Sequence, residues 1–413
     1  MPTSAEERIF LRRIVARFRD DAPRLQFADY LDDSTAPGDH ARAEFIRLQV
    51  ALADIPADHP RRAEWTDRQN ELLLKYHDEW TRSLKGLADG FEFRRGVVDS
   101  VMVEVPRFLA RGDELFRRAA IRRVRFNDAG RHMAALADSA LLGKVRELSL
   151  CGAELGTGGL HILLRSPHLG RLRALDLSFN GLTDSGVRRL AGCRSIAKLT
   201  HLYLNDNVHL SGAGMSALAA SPHLAALREL DVSANRIGDT GLTALARSRT
   251  LARLHTLRVR ANGIGEVGCA ALAGSDLLGR MLRRHRRLDL RHNAIGPTGV
   301  AALAAALYLA AAEELDFEKN GLDNAAVVAL VESRFTGRLK ALHLRDNQIG
   351  DAGAVALARS PLMKQLEVVD VSSNRLTRRG IDELWKHRRD WHTVLLCDGN
   401  VPGVSGPSQR SVT

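Results

Sequence analysis

Cysteine is scarce: the 413-residue chain holds four, Cys151, Cys193, Cys269 and Cys397. They are scattered with no CxxC or other short spacing, which excludes zinc-type ligand spacing and fits a reducing, cytoplasmic setting. Aromatic residues make up only 5%. Few of them interleave with basic residues, which counts against binding single-stranded nucleic acid by base stacking. Long apolar runs are missing too. The longest, Val300 to Ala312, is rich in alanine and about seven residues short of the roughly 20 needed to cross a bilayer, so no membrane span is expected. The opening stretch, MPTSAEERIFLRRIVARF, places acids before the basic residues and interrupts its apolar positions every few residues; no secretion signal is expected there. A Walker loop, HExxH, GxSxG and an EF-hand string are all absent. No catalytic residue, metal or cofactor is therefore expected, and isolated features that could suggest one have plainer readings. Gly156, Gly158 and Gly159 fall where a helix opens. Asp29, Asp32 and Asp33 end a helix without the oxygen-ligand spacing of a calcium loop. The histidines, among them His161, His168, His201, His209 and His223, show no i, i+4 pairing. Cys269 and Cys397 occupy positions that are apolar elsewhere, as small buried side chains.

What is present points to a folded chain with surplus positive charge. Hydrophobic residues are 45% and charged residues 26%, as in a water-soluble globular protein. The length exceeds what one compact core needs, so several domains or an array of repeats is expected. The formal net charge is +11 and the pI is near 10.0, with the excess almost all Arg and spread along the chain. That field favours encounter with acidic partners, unless it reflects only a general solubility or codon bias.

One string recurs. Leu172 to Asn180 reads LRALDLSFN, Leu199 to Asn207 LTHLYLNDN, Leu227 to Asn235 LRELDVSAN, Leu254 to Asn262 LHTLRVRAN, and Leu339 to Asn347 LKALHLRDN. The common form is LxxLxLxxN. Its last Asn falls at 180, 207, 235, 262, 293, 320, 347, 374 and 400, in steps of 26 to 28 residues broken once by a step of 31. Alternation at Leu175 and Leu177 and their equivalents puts apolar side chains on one face of a short strand. Apolar pairs at i, i+3, such as Val187 and Leu190 or Leu242 and Leu245, then form one helical stripe. Gly recurs six positions after the Asn slot, at Gly159, Gly186, Gly241, Gly268, Gly299, Gly353 and Gly380, where a small residue permits close packing. A buried Asn at the strand's exit can satisfy backbone groups left without partners.

This pattern resembles the leucine-rich repeat family, and its period of 27 to 28 resembles the ribonuclease-inhibitor subtype. The resemblance covers roughly residues 145–400. It implies an α/β solenoid shaped as a horseshoe, with parallel strands on the concave side and helices on the convex side, in one continuous array from about residue 98 to 400. Regular repeats are expected over 146–400. Ala153 in the Asn slot of VRELSLCGA, and the fainter echo at Ala129, suggest degenerate capping repeats over 86–145. The tail 401–413 is expected to be disordered.

Residues 1–85 carry no trace of the repeat and read as a small all-α domain. Ser4 and Glu7 form a capping box before a helix with Leu11, Val15 and Phe18 on one stripe. Asp21 and Pro23 open a second helix with Leu25, Ala28 and Leu31; a third carries Phe45, Leu48 and Leu52, and a fourth Trp65, Leu72, Tyr76 and Trp80. The strings DAPRLQFADYLD, Asp21 to Asp32, and GDHARAEFIRLQ, Gly38 to Gln49, resemble the bacterial repeat-companion domain. Capping of the first strand and a docking or regulatory role both remain open for it.

Recognition would be written on the variable positions of LxxLxLxxN, which project opposite the buried leucines. Acidic and neutral residues dominate through Asp231, after which Arg258, Arg260, Arg287 and Arg291 cluster on neighbouring strands, beside a 31-residue step holding Arg280, Arg283, Arg284 and Arg286. These are either a docking patch for an acidic protein or a cross-strand ion lattice with Asp231, Asp289 and Glu318. Phe179, His201, Tyr203, Lys319 and Arg345 complete the candidate partner-binding set, with Ser178 expected to be exposed. The function expected is a non-enzymatic, monomeric scaffold for a protein partner, away from any membrane. A regulatory protein such as a GTPase-activating one is the alternative, on likeness of fold to Ran GTPase-activating proteins alone, with no active residue to carry over. Nucleic acid, resting on charge alone, is disfavoured.

Overall fold

The computed structural model describes residues 5–56, 59–387 and 393–400. The expected capping residue Ser4 and the tail 401–413 lie outside them. The chain divides into two compact units, Met1–Leu155 with Ile162–Asp176, and Gly156–His161 with Leu177–Thr413.

The first unit opens with four helices, α1 (Ala5–Ala16), α2 (Ala22–Asp32), α3 (Pro37–Asp54) and α4 (Arg62–Trp80). Pro23 in the first turn of α2 and Pro37 at the start of α3 preset the helical φ where no N–H is needed. The buried faces differ from the expected stripes at two points. Val15 and Leu25 are 46% and 38% exposed, while Ile14, Arg24 and Phe27 are fully buried. Phe27 stacks on Phe10 with centroids 5.5 Å apart and sits in the core beside Leu11, Ala28 and Leu31, which are buried as expected. A second cluster joins Phe45, Leu72 and Trp80, and the Trp80 indole N–H donates to the Gly38 carbonyl at 3.0 Å.

Next comes an antiparallel hairpin, β1 (Gly90–Arg94) and β2 (Val97–Met102). β2 begins a parallel ladder with β3 (Arg123–Arg125), β4 (Glu147–Ser149) and β5 (Ala174–Asp176). The hairpin turn rests on the helices. Gly96 adopts φ +85°, and a Cβ there would lie 2.5 Å from the Ile46 Cα. Its N–H donates to Gln49 Oε1 at 2.7 Å, and Arg95 pairs with Asp21 and with Asp54. The two conspicuous N-terminal strings thus supply the groups that seat this turn.

The second unit carries β6 (His201–Tyr203), β7 (Glu229–Asp231), β8 (Thr256–Arg258), β9 (Arg287–Asp289), β10 (Glu314–Asp316), β11 (Ala341–His343), β12 (Val368–Asp370) and β13 (Val394–Leu396). Each strand has three residues with a buried apolar centre, and a helix follows all of them but the last among the described residues. Strand pairs are parallel and in register, Leu202 beside Leu230 and Leu315 beside Leu342. One expectation is corrected: the ladder is not continuous, because β6–β8 and β9–β13 belong to different sheets. The 31-residue step inserts a helix, Asp276–His285, which buries Leu277, Leu278, Met281 and Leu282 between the two.

Three side-chain ladders tie successive repeats together. Asn207 shows the first: its Nδ2 donates to the carbonyls of Leu177 and Leu204 at 3.1 and 2.9 Å, and its Oδ1 accepts from the N–H groups of Asn180 and Leu182. One buried amide therefore satisfies backbone groups of two repeats. In the second, Ser221 and Ser333 each donate at 2.5 Å to the carbonyl that ends the helix of the preceding repeat, Ala191 and Ala304. In the third, Asp239 Oδ1 accepts from the N–H groups of Gly265 and Gly268 at 2.7 and 2.9 Å, and Asn324 treats Gly350 and Gly353 alike. This last ladder explains part of the recurring glycine: a Cβ at Gly268 would lie 2.7 Å from Asp239 Oδ1.

Candidate partner-binding face

The variable positions sit on three-residue strands and the two residues after them. Immediately before each ladder Asn the backbone turns left-handed, at Phe179, Asp206, Ala234, Ala261, His292, Lys319, Asp346 and Ser373. That conformation throws the side chain outward, and Phe179 is 57% exposed. Ser178 is a correction: it is buried, 3% exposed, and donates to Asn205 Oδ1 at 2.5 Å, because the chain turns inward one residue before it turns out. His201 and Tyr203 are half-buried on β6; the His201 ring lies 3.9 Å from Glu229 and bonds Thr200 Oγ1 at 2.8 Å.

The structure brings the expected arginines together but pairs most of them. Arg258 meets Glu229 at 2.5 Å and Asp231 at 4.0 Å. Arg287 reaches Glu314 and Asp316, each at 3.3 Å. Arg291 contacts Asp289 at 2.8 Å, Asp316 at 3.1 Å and Glu318 at 4.0 Å. Burial pulls the Arg258 pKa down, yet the hydrogen bond and charge of Glu229 outweigh it and leave it raised. Burial likewise pushes the Asp289 carboxyl up, and Arg291 more than reverses that. At Asp316, 4% exposed, burial wins and the pKa is raised despite Arg291. Glu229, Glu314 and Asp316 were not singled out as arginine partners from the sequence, since choosing partners requires knowing which residues face each other across strands.

Two candidate cations stand apart. Arg260 is exposed, its contact being His292 Nε2 at 3.3 Å, and Arg345 is exposed without a carboxylate partner among the described residues. Lys319 lies 3.9 Å from Asp346. From β6 to β12 this face holds nine acids, Asp206, Glu229, Asp231, Asp289, Glu314, Asp316, Glu318, Asp346 and Asp370, against six cations, Arg258, Arg260, Arg287, Arg291, Lys319 and Arg345.

The surplus positive charge goes elsewhere. In the second unit the connections from helix to strand carry Arg194 and Lys198; Arg228; Arg247, Arg249 and Arg253; Arg280, Arg283, Arg284 and Arg286; Arg334, Arg338 and Lys340; and Lys364. Among the described residues of these connections, those fourteen cations stand against the four acids Asp276, Glu313, Glu332 and Glu367. No reactive thiol is presented by Cys269, which is buried, with its pKa pushed up to about 12 by burial and then by Asp239. Among the described residues no group of three His, Cys, Asp or Glu is placed to hold a metal ion, and no helix is long and apolar enough to cross a membrane.

A family profile described as leucine rich repeat matches residues 172–191, 195–219, 223–246, 286–304 and 339–358. No curated protein matches the sequence. Among solved structures, an internalin from Listeria monocytogenes is similar at 19% identity and a TM-score of 0.40, over 65% of this chain and 66% of that one, just under two thirds of its length. Rad7, in its complex with Elc1 from yeast, is similar at 14% identity and a TM-score of 0.43, over 84% of this chain and 79% of that one.

Proposed function

Because the chain is a leucine-rich-repeat protein, we propose that it acts as a non-enzymatic scaffold that takes a protein partner on the exposed, concave face of its strands. The observation that carries this reading is the division of labour among the arginines. Arg258, Arg287 and Arg291 are held in an ion lattice that fixes the face, while Arg260 and Arg345 project without a carboxylate partner. Unpaired guanidinium groups favour a partner with acidic groups spaced to meet them, and forked donors hold carboxylates bidentately. Phe179 and Tyr203 supply apolar and aromatic surface at the other end of the face.

The test is capture of partners from nuclease-treated lysate, followed by titration of the captured protein against the wild type and the double variant R260E/R345E. The double variant should associate several-fold more slowly, with a flatter salt dependence, and should unfold at an unchanged denaturant midpoint. An unchanged on-rate and salt slope would contradict the arginine assignment and move the contact to Phe179, His201 and Tyr203.

A further inference from the structure

We infer that the basic edge of the second unit, centred on Arg228, Arg249, Arg253 and Arg284, is a binding surface for the phosphate backbone of double-stranded nucleic acid. These residues are distant in sequence, and the repeat stacks them. The residue before each strand accepts a backbone hydrogen bond from the next repeat, as Arg228 does from His255 at 3.1 Å and Arg286 does from Glu313 at 2.6 Å, so the connections run side by side along one edge. Arg286 and Lys340 on this edge pair with Glu313 and Glu367, but the four central arginines stand outside those pairs. All four arginines are exposed and none has a carboxylate partner among the described residues.

The environment of two histidines agrees. His255 and His285 lie within the cluster with ring centroids 6.3 Å apart. Burial first, then the charge of Arg284, holds both imidazoles below their ordinary pKa.

Duplex nucleic acid fits better than the other polyanions. A protein interface centres on apolar and aromatic groups, and along this edge Leu307 is the exposed large apolar side chain among the described residues. Single strands are bound by stacking on aromatic rings, which are scarce here. That scarcity counts against single strands alone and carries no weight against a duplex held by its backbone. Within each sheet the connections repeat at ~4.8 Å per strand, short enough for several to lie within the ~34 Å of one duplex turn.

The test is fluorescence anisotropy of the full chain with a labelled, mixed-sequence DNA duplex of about 20 base pairs. With four phosphates contacted, affinity should fall about a hundredfold between ~50 and ~200 mM salt. The variant R249E/R253E/R284E should bind at least tenfold more weakly at the lowest salt, with a log–log slope smaller by about three. R249Q/R253Q/R284Q gives the same readout with less disturbance should the reversal affect folding. R260E/R345E, on the strand face, should bind the duplex as the wild type does, which keeps this outcome separate from the fate of the protein-binding reading. Absence of wild-type binding at ~50 mM salt, equal binding by the folded edge variants, or equal displacement by polyglutamate of matched charge would overturn the proposal; the last would assign the edge to an acidic protein.

Discussion

At the scale of single residues, the ladder Asn is the most legible feature of the sequence, because its role allows few alternatives. An amide that must serve carbonyls and N–H groups of two repeats at once admits almost no other side chain, so it recurs as Asn. Asn235 donates to the carbonyls of Leu204 and Val232 and accepts from the N–H of Asn207. Asn235→Ala should leave these buried groups unpaired and lower stability by about 1 to 3 kcal/mol, whereas Arg345→Ala on the exposed face should change it by less than about 0.5 kcal/mol. Denaturant unfolding of both variants checks this, and equal losses would contradict it. Ser178 shows where such reading stops: whether a variable position points in or out depends on the left-handed turn at Phe179, which residue type does not announce.

Asp99 is a residue whose importance the sequence did not signal. It is 1% exposed on β2, and neither carboxylate oxygen has a hydrogen-bond partner among the described residues. Burial, only partly opposed by Arg122, raises its pKa from 3.8 to about 6. The sign follows directly. Folding favours the protonated acid, so stability is fully present below the unfolded value and is lost as pH rises toward the folded one. Relative to Asp99→Asn, which does not titrate, the wild type should lose about 2 to 3 kcal/mol between pH 4 and pH 7. Urea midpoints of both proteins at the two pH values measure it. A gap that stays constant, or moves the other way, would contradict the assignment.

At the scale of elements, the strand and helix of each repeat were readable from two periodicities, and the strands fall within one residue of their expected places, as with β5 at Ala174–Asp176. The ladders joining helices were not. Asp239 lies in the same helix as Gly241, at a position that also holds Asp184 and Asp351 but elsewhere Glu266, Pro297, Asn324 and Arg378, too varied a set for residue type alone to show that it caps the next helix through Gly265 and Gly268. Gly268→Ala places a Cβ 2.7 Å from that carboxylate. It should destabilise by about 1 to 3 kcal/mol. Adding Asp239→Ala should remove part of the extra cost, since the 2.7 Å contact with the carboxylate goes while the Asp239 Cα at 3.0 Å remains. Additive losses in a double-mutant cycle would show that the two residues do not meet. The interrupted sheet has a similar lesson. A step of 31 residues was visible in the sequence, while its consequence depended on the inserted helix burying four side chains rather than looping out.

At the scale of the molecule, linear reading and folded arrangement differ most in the charge. Arg scattered evenly along the chain becomes, through a period near 27 residues, one basic edge beside a strand face in which acids outnumber cations. Arg258, Arg260, Arg287 and Arg291 are legible in the sequence as a cluster, but only the folded arrangement shows Arg258, Arg287 and Arg291 in the ion lattice and Arg260 outside it. The most direct test of the scaffold reading is hydrogen exchange of the full chain with and without its captured protein partner. Slowed exchange should concentrate in peptides covering residues 256–262, 287–293, 314–320 and 341–347, with the helices unchanged. Protection confined to the helices or to the basic edge, with the strand face exchanging as in the free protein, would contradict it.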